Sequence, residues 1–126
     1  MVLLSHGKQF DMSTELNGKI DFASIDEVGT ANFKGGEKVF YAKMFNDGLN
    51  KVLKAHLGPG ASIGVHTHGD SSEIMFIASG TGTHIFDGKN YRFSAGDVLY
   101  CPKGHSHSLV NDSDAEVYFM AVVPVQ

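Results

Sequence analysis

The residues best suited to chemistry are three histidines and a glutamate in the second half of the 126-residue chain. His66 and His68 are separated by one residue, and on a β-strand such residues point to the same face of the sheet. Glu73 begins the next predicted strand, so an antiparallel return would place its carboxylate beside the two rings. His107 lies 34 residues beyond Glu73 and joins them only if the sheet folds back on itself.

Three imidazoles and one carboxylate suit a borderline divalent ion, and manganese, iron, nickel, copper and zinc are all compatible with this set. Four protein ligands on an ion that accepts six leave two positions open, as a catalytic site requires. Each residue alone has a simpler explanation, because a single histidine or glutamate on a strand is usually hydrogen-bonded or solvated. The combination predicts one divalent transition metal bound by His66, His68, Glu73 and His107.

The elements that carry these residues have the alternation of an all-β protein. Apolar residues recur with period two, and the 15 glycines supply frequent turn signals, of which Asp87-Gly88 is the strongest hairpin dipeptide. One helical turn is predicted at residues 24–27, where Ser24 and Glu27 match a capping box. Strands are predicted at residues 37–45, 51–57, 62–68, 73–79, 84–86, 89–93, 97–101, 106–111 and 115–123.

Composition excludes several classes of function. The net charge is −4 and the ten lysines and arginines form no run, so a surface for nucleic acid is not expected. No apolar stretch has the length of a membrane span, and the start of the chain does not resemble a signal peptide, which predicts a cytoplasmic protein without membrane contact. The single cysteine, Cys101, excludes an internal disulfide and a cysteine-based zinc cluster.

Two segments resemble the paired motifs of the cupin family. The first is Gly60, five residues, His66-Thr67-His68, four residues, Glu73, six residues and Gly80. The second is Gly96, five residues, Pro102-Lys103-Gly104, two residues, His107, three residues and Asn111. Every specified position of both motifs is present, and the 15 residues between them resemble the short spacer of small microbial cupins.

The resemblance to small single-domain, RmlC-like cupins implies a double-stranded β-helix, or jelly roll, with the ion inside its wider mouth. It assigns the four metal ligands to His66, His68, Glu73 and His107. Turn positions with positive φ are expected at Gly60, Gly80, Gly96 and Gly104. Asn111 is expected to tie down a corner through side-chain bonds to the backbone.

The other candidate residues carry weaker signals. His105 either shares the face of His107 as a supporting group or lies exposed in the preceding turn. His84 and His56 are interpreted as sheet-face residues, and Met75 and Ile77 as the floor of the pocket. Arg92 is the only arginine, and binding sites for phosphates and dicarboxylates usually recruit arginine, which argues against nucleotide-sugar epimerase and 2-oxoglutarate oxygenase chemistry.

The favoured function is a metal-dependent enzyme of oxygenase, isomerase or lyase type that acts on a small organic molecule. Glu73 would be its catalytic group if it detaches from the ion and serves as a base. The alternative is a non-catalytic module that binds metal or a small ligand, and a third hypothesis is a structural subunit with a vestigial site. Residues 1–36 are predicted to form an N-terminal strand and turn segment that serves as a dimer arm, with residues 37–126 as the cupin barrel of a homodimer.

Overall fold

The computed structural model describes residues 2–3, 9–10 and 18–126, and almost all of its regular structure is β-strand. Short 3-10 turns occur at Phe22–Ser24 and Phe33–Gly35. The strands are β1 (Val2–Leu3), β2 (Gln9–Phe10), β3 (Val28–Ala31), β4 (Val39–Asn46), β5 (Asn50–Leu57), β6 (Ser62–Thr67), β7 (Glu73–Ser79), β8 (Gly82–Phe86), β9 (Lys89–Phe93), β10 (Val98–Cys101), β11 (Ser106–Val110) and β12 (Val117–Pro124).

Two antiparallel sheets face each other. The larger has the order β10-β7-β12-β5-β4-β3, and the smaller has the order β6-β11-β8-β9, while β1 and β2 form a two-stranded sheet. Alternate apolar residues of both sheets point inward and form one core, so the predicted all-β jelly roll is confirmed. The buried core residues are Phe40, Ala55, Leu57, Ala61, Ile63, Met75, Ile77, Phe93, Leu109, Val117, Phe119 and Ala121.

The predicted turns hold the corners of the barrel. Asp87 and Gly88 both have positive φ, at 48° and 80°, as the two-residue turn between β8 and β9 requires. The four motif glycines also have positive φ, and at Gly80 an added Cβ would lie 2.6 Å from the Glu116 carbonyl oxygen. Asn111 is fully buried and donates from Nδ2 to the carbonyls of Leu57 and Ala115, which confirms its corner role.

The predicted helical turn at residues 24–27 is wrong. The turn ends at Ser24, whose hydroxyl donates back to the Asp21 carbonyl 3.0 Å away and caps nothing that follows. Glu27 instead places its carboxylate 2.7 Å from Nε2 of His56, on the outer face of the larger sheet. Glu27 thus contacts His56, a residue distant in the sequence, and does not form a capping box with Ser24.

A loop near the start of the barrel covers the free edge of β6. The Ser62 amide donates to the Glu37 carbonyl, and the Ser62 hydroxyl accepts from the Glu37 amide. The backbones then meet closely: an added Cβ on Gly36 would lie 2.1 Å from the Ser62 carbonyl oxygen, and one on Gly64 would lie 2.0 Å from the Lys34 carbonyl oxygen. Only glycine at these two positions permits the contact that protects this sheet edge.

A β-bulge in β6 sets which of its side chains face the interior. His66 pairs with His107 of β11, but Ile63 pairs with Leu109, so β6 has one extra residue in this interval. The Ser108 hydroxyl donates to the Ile63 carbonyl at 2.6 Å and stabilises the irregularity. The bulge therefore lets both Ile63 and His66 point into the barrel, although three positions separate them.

The described part of residues 1–36 contributes directly to the larger sheet, because β3 is its outermost strand and pairs with β4. The boundary at residue 36 and the dimer arm stay predictions, and residues 1, 4–8 and 11–17 of that arm lie outside the described residues. Among the described residues, no helix is long and apolar enough to cross a membrane.

Candidate metal centre

The structure brings His66, His68, Glu73 and His107 together inside the barrel. Their potential ligand atoms all lie within 4.8 Å of one another, and this group could hold a metal ion. Oε1 of Glu73 is 2.9 Å from Nε2 of His107, 3.1 Å from Nε2 of His68 and 3.9 Å from Nε2 of His66. The two Nε2 atoms of His68 and His107 are 3.0 Å apart.

The route by which Glu73 reaches the rings differs from the sequence-based expectation. β7 does not return beside β6; it crosses to the larger sheet and pairs with β10 and β12. Glu73 therefore approaches the histidines from the opposite wall. His107 needs no such crossing, because it lies directly opposite His66 on the neighbouring strand of the smaller sheet.

Each imidazole is held through its other nitrogen. Nδ1 of His66 lies 2.8 Å from the Gly64 carbonyl, which can only accept, so the proton of the neutral ring is on Nδ1 and the Nε2 lone pair is free. Nδ1 of His68 lies 3.1 Å from the Ser71 hydroxyl, and Nδ1 of His107 lies 3.0 Å from Nε2 of His84. Metal-binding histidines are commonly oriented in this way.

Two opposing effects act on the Glu73 carboxyl group. Burial raises its pKa, but the side chains of His107, His66 and His68, of which His107 and His68 lie within hydrogen-bond distance, together hold the pKa well below its usual value. The carboxylate is therefore ionised and carries negative charge into the group of rings, which is the state that a cation requires.

The spacing of the donor atoms allows a shared ion. Glu73, His68 and His107 place their donor atoms 2.9, 3.0 and 3.1 Å from one another, which are also ordinary hydrogen-bond distances, and all three could bind one ion with bonds of about 2.1 Å. His66 lies farther out, with its Nε2 3.9 Å from Oε1 of Glu73. Four protein ligands would leave two positions for other ligands on an ion that accepts six.

His84, interpreted from the sequence as a sheet-face residue, lies beside the cluster in the structure. It points into the barrel, is 5% exposed, and meets the ring of His107, which is 2% exposed. Burial and the nearby His107 lower the pKa of His84 to about 4, so it is neutral at pH 7. The available signal was its strand parity: Gly82 and His84 alternate with the outward Thr83, and β8 pairs with β11.

A cavity of about 270 Å³ leads to the cluster. His66, His68 and Glu73 line it, whereas Met75 and Ile77 are buried in the core and do not form its floor as expected, because β7 runs from the mouth into the interior. The apolar lining comes instead from the larger sheet and the turn at residues 33–35. It comprises Phe33, Phe40, Met44, Leu53, Phe119, Ala121 and Val123, with Ile63 from β6.

The remaining candidates lie away from the cluster. His105 takes the exposed alternative and pairs with Asp87. His56 is a sheet-face residue, as expected, stacked between Tyr41 and Tyr118 and bonded to two glutamates. Arg92 faces outward and pairs with Asp112 at 2.7 Å. Two cationic side chains that sequence reasoning did not select, Lys34 and Lys51, do line the cavity. No local motif marks these two lysines.

Two sequence relatives share the central part of the chain. An oxalate-binding protein of Thermotoga maritima is 39% identical over 67 residues, which are 53% of this chain and 55% of that protein. A 5-aminosalicylate 1,2-dioxygenase of a Comamonas species is 41% identical over 56 residues, which are 44% of this chain and 15% of that protein. The matched region is thus about half of the first relative and a small part of the second.

Solved structures and a family comparison cover more of the barrel. A crystal structure from Thermotoga maritima, described as a "predicted oxalate decarboxylase", has a TM-score of 0.79 and 26% identity over 86% of this chain and 99% of that chain. An RmlC-like cupin from Shewanella frigidimarina has a TM-score of 0.70 and 17% identity over 89% of this chain and 93% of that chain, which shows a shared fold. The sequence model of the Cupin domain family matches residues 53–123, and the chain belongs to this family.

Proposed function

We propose that the protein is a metal-dependent cupin enzyme that acts on a small organic molecule bound directly to the ion. The observation that carries this proposal is the arrangement of His66, His68 and His107, whose Nδ1 atoms are all engaged while their Nε2 atoms converge with Glu73 beside a cavity. These four residues are the proposed ligands. When bound, the ion would supply Lewis acidity or, if it is iron, manganese or copper, reactivity towards dioxygen.

The residues around the site have different proposed roles, in binding the ion, in proton transfer and in excluding water. The three anchored imidazoles would hold the ion in place, because each has a fixed ring orientation. Glu73 would be the ligand from the opposite wall, and its carboxylate is the proposed base if it detaches from the ion to accept a proton from the bound molecule. The apolar side chains of the larger sheet, including Phe40 and Phe119, exclude water from the bound molecule.

The names of the relatives suggest the kind of ligand. Oxalate carries two adjacent carboxylates, and 5-aminosalicylate carries a carboxylate beside a phenolic hydroxyl, so each presents two oxygens that can bind one ion. Two open positions on an octahedral ion suit such a bidentate molecule. We therefore propose a small carboxylate with two oxygen donors as the ligand class.

Elemental analysis of protein purified without a nickel column tests the metal site. The matched sample is the His66→Ala/His107→Ala double variant. We expect about one equivalent of a divalent transition metal in the wild type and its loss in the variant. Iron, manganese or copper would direct the next assay to oxygen uptake with carboxylate substrates, and zinc or nickel to isomerase or lyase assays. A wild type that neither contains nor takes up metal would overturn the proposal.

A non-catalytic carboxylate-binding module is the second candidate, and the name of the oxalate-binding relative is the observation that favours it. Glu73→Gln separates the two functions, because an amide oxygen still binds an ion but cannot accept the proton. An enzyme whose variant is reloaded to the metal content of the wild type would still lose turnover. A binding module would show ligand-dependent stabilisation without turnover in either form.

Two further proposals concern the state of the protein in the cell. Exposed apolar side chains on the outer face of the larger sheet, among them Phe76, Val98 and Tyr100, favour association into a homodimer. The cytoplasmic location and the absence of nucleic-acid and membrane partners rest on the sequence composition alone.

A further inference from the structure

We propose that Lys34, held in a left-handed backbone conformation at the mouth of the cavity, binds the anionic group of the metal-bound ligand, and that Lys51 adds a second positive charge from β5. This inference rests on the proposed metal-dependent function and specifies the charge of its ligand. Lysine can replace arginine in an anion site, although it binds a carboxylate less specifically, and Lys34 and Lys51 are the candidates for that replacement.

The backbone of Lys34 is the first observation. Its φ is 57° and its ψ is 25°, a region that L-residues with a side chain rarely adopt. Glycine would fit with less strain, and glycine does occupy the next position, Gly35, where φ is 84°. Lys38 on the same loop has the same φ but does not line the cavity, so the strain by itself assigns no function, and the position of Lys34 in the cavity lining carries the argument.

The surroundings of Lys34 tie it to the proposed ligands. Its carbonyl packs against Gly64, and the carbonyl of Gly64 is the group that orients Nδ1 of His66. The Lys34 ammonium lies 5.6 Å from the centroid of the Phe33 ring, which stacks on Phe40 of the cavity wall at 4.9 Å. The charge is thus presented beside the apolar part of the cavity that would receive the organic molecule.

The charges around the cavity favour an anion. Within the described part of the chain, neither Lys34 nor Lys51 has a carboxylate within ion-pair distance, although both line the cavity. Asp70 is the opposing group at the same mouth. With a divalent ion at the cluster, the positive charges of the ion and the two lysines would exceed the negative charges of Glu73 and Asp70. The cavity would therefore attract a carboxylate, whereas a neutral molecule would feel no net electrostatic attraction.

The chain offers a matched control for both the strain and the charge. Lys38 also has a φ of 57°, lies on the same loop and is exposed. Its ammonium donates to the Pro59 carbonyl at 2.9 Å, and it does not line the cavity. Lys38→Gly therefore removes one positive charge and one strained residue without changing the proposed binding group.

The experiment is calorimetric titration of oxalate and salicylate into manganese-loaded wild type and the variants Lys34→Gln, Lys34→Gly, Lys51→Gln and Lys38→Gly. We expect Lys34→Gln and Lys34→Gly to raise the Kd about tenfold, because each loses a charge-assisted hydrogen bond. Lys51→Gln should raise it less, and Lys38→Gly should leave it within twofold. Added salt should weaken binding to the wild type more than binding to Lys34→Gln.

Metal content separates failure of this inference from failure of the proposed function. If the wild type binds no manganese, the proposed metal site fails first, and the assignment of Lys34 falls with it. If all variants bind manganese equally and Lys34→Gln binds the carboxylates as tightly as the wild type, Lys34 is not the binding group. A loaded wild type that binds neither carboxylate would also overturn the assignment.

Discussion

Replacing His84 with leucine removes the only described hydrogen-bond partner of Nδ1 of His107, and the expected loss of metal affinity follows from the geometry of this pair. Nε2 of His84 is 3.0 Å from Nδ1 of His107, and both rings are buried. When Nε2 of His107 binds an ion, its proton must lie on Nδ1 and be donated to His84. Loss of the acceptor leaves a buried N–H unpaired, at a cost of about 1–3 kcal/mol, and should weaken metal binding about 10- to 100-fold.

Competition with a chelator of known affinity measures the metal Kd of the wild type and of His84→Leu. His84→Gln should recover part of the loss, since its amide oxygen can accept the same bond. His105→Leu is the matched control, because His105 is exposed and bonded to Asp87, away from the cluster. A metal Kd of His84→Leu within threefold of the wild type would refute the orienting role of His84.

The same substitution has a defined pH dependence in the metal-free protein. The pKa of His84 is lowered from 6.5 to about 4, mainly by burial, so between these pH values the unfolded state binds a proton that the folded state does not. This group therefore reduces the free energy of unfolding as the pH falls from 6.5 to 4, by about 3 kcal/mol in total. In denaturant titrations, the free energy of unfolding of His84→Leu should not show this fall between pH 6.5 and 4. If it falls in parallel in the wild type and the variant, His84 is not the group responsible.

Four further outcomes are expected. Asn111→Ala should lower the free energy of unfolding by about 3 kcal/mol in denaturant titrations, because it leaves the carbonyls of Leu57 and Ala115 without their hydrogen-bond donor. A loss below about 1 kcal/mol would contradict this. Cys101 should resist thiol reagents until the protein is unfolded, since burial raises its pKa to about 11. Light scattering should give twice the chain mass of 13.6 kDa, and Phe76→Glu should shift it towards monomer, whereas a monomeric wild type would end the dimer proposal. Chelation near neutral pH should lower Tm, and an unchanged Tm would show that the metal and the fold are not coupled.

Much of the fold and the membership of the candidate site could be predicted because they depend on local chemistry. Alternation of apolar residues marked the strands, and the positive φ of glycines such as Gly80 follows from the turns that they must form. His66 and His68 share a face because of strand periodicity alone. The residues that converge were therefore foreseeable, although the binding of an ion by them stays a prediction.

The tertiary structure decided how those residues meet. β7 crosses to the other sheet, so Glu73 faces the histidines from the opposite wall, and no spacing along the chain distinguishes this route from a simple hairpin. The contacts of His84 with His107, and of the Lys34 loop with β6, join residues that are 23 and about 30 positions apart in the chain. Such contacts depend on how two sheets pack, and packing is a property of the whole core, whereas turn and strand preferences act over a few neighbouring residues.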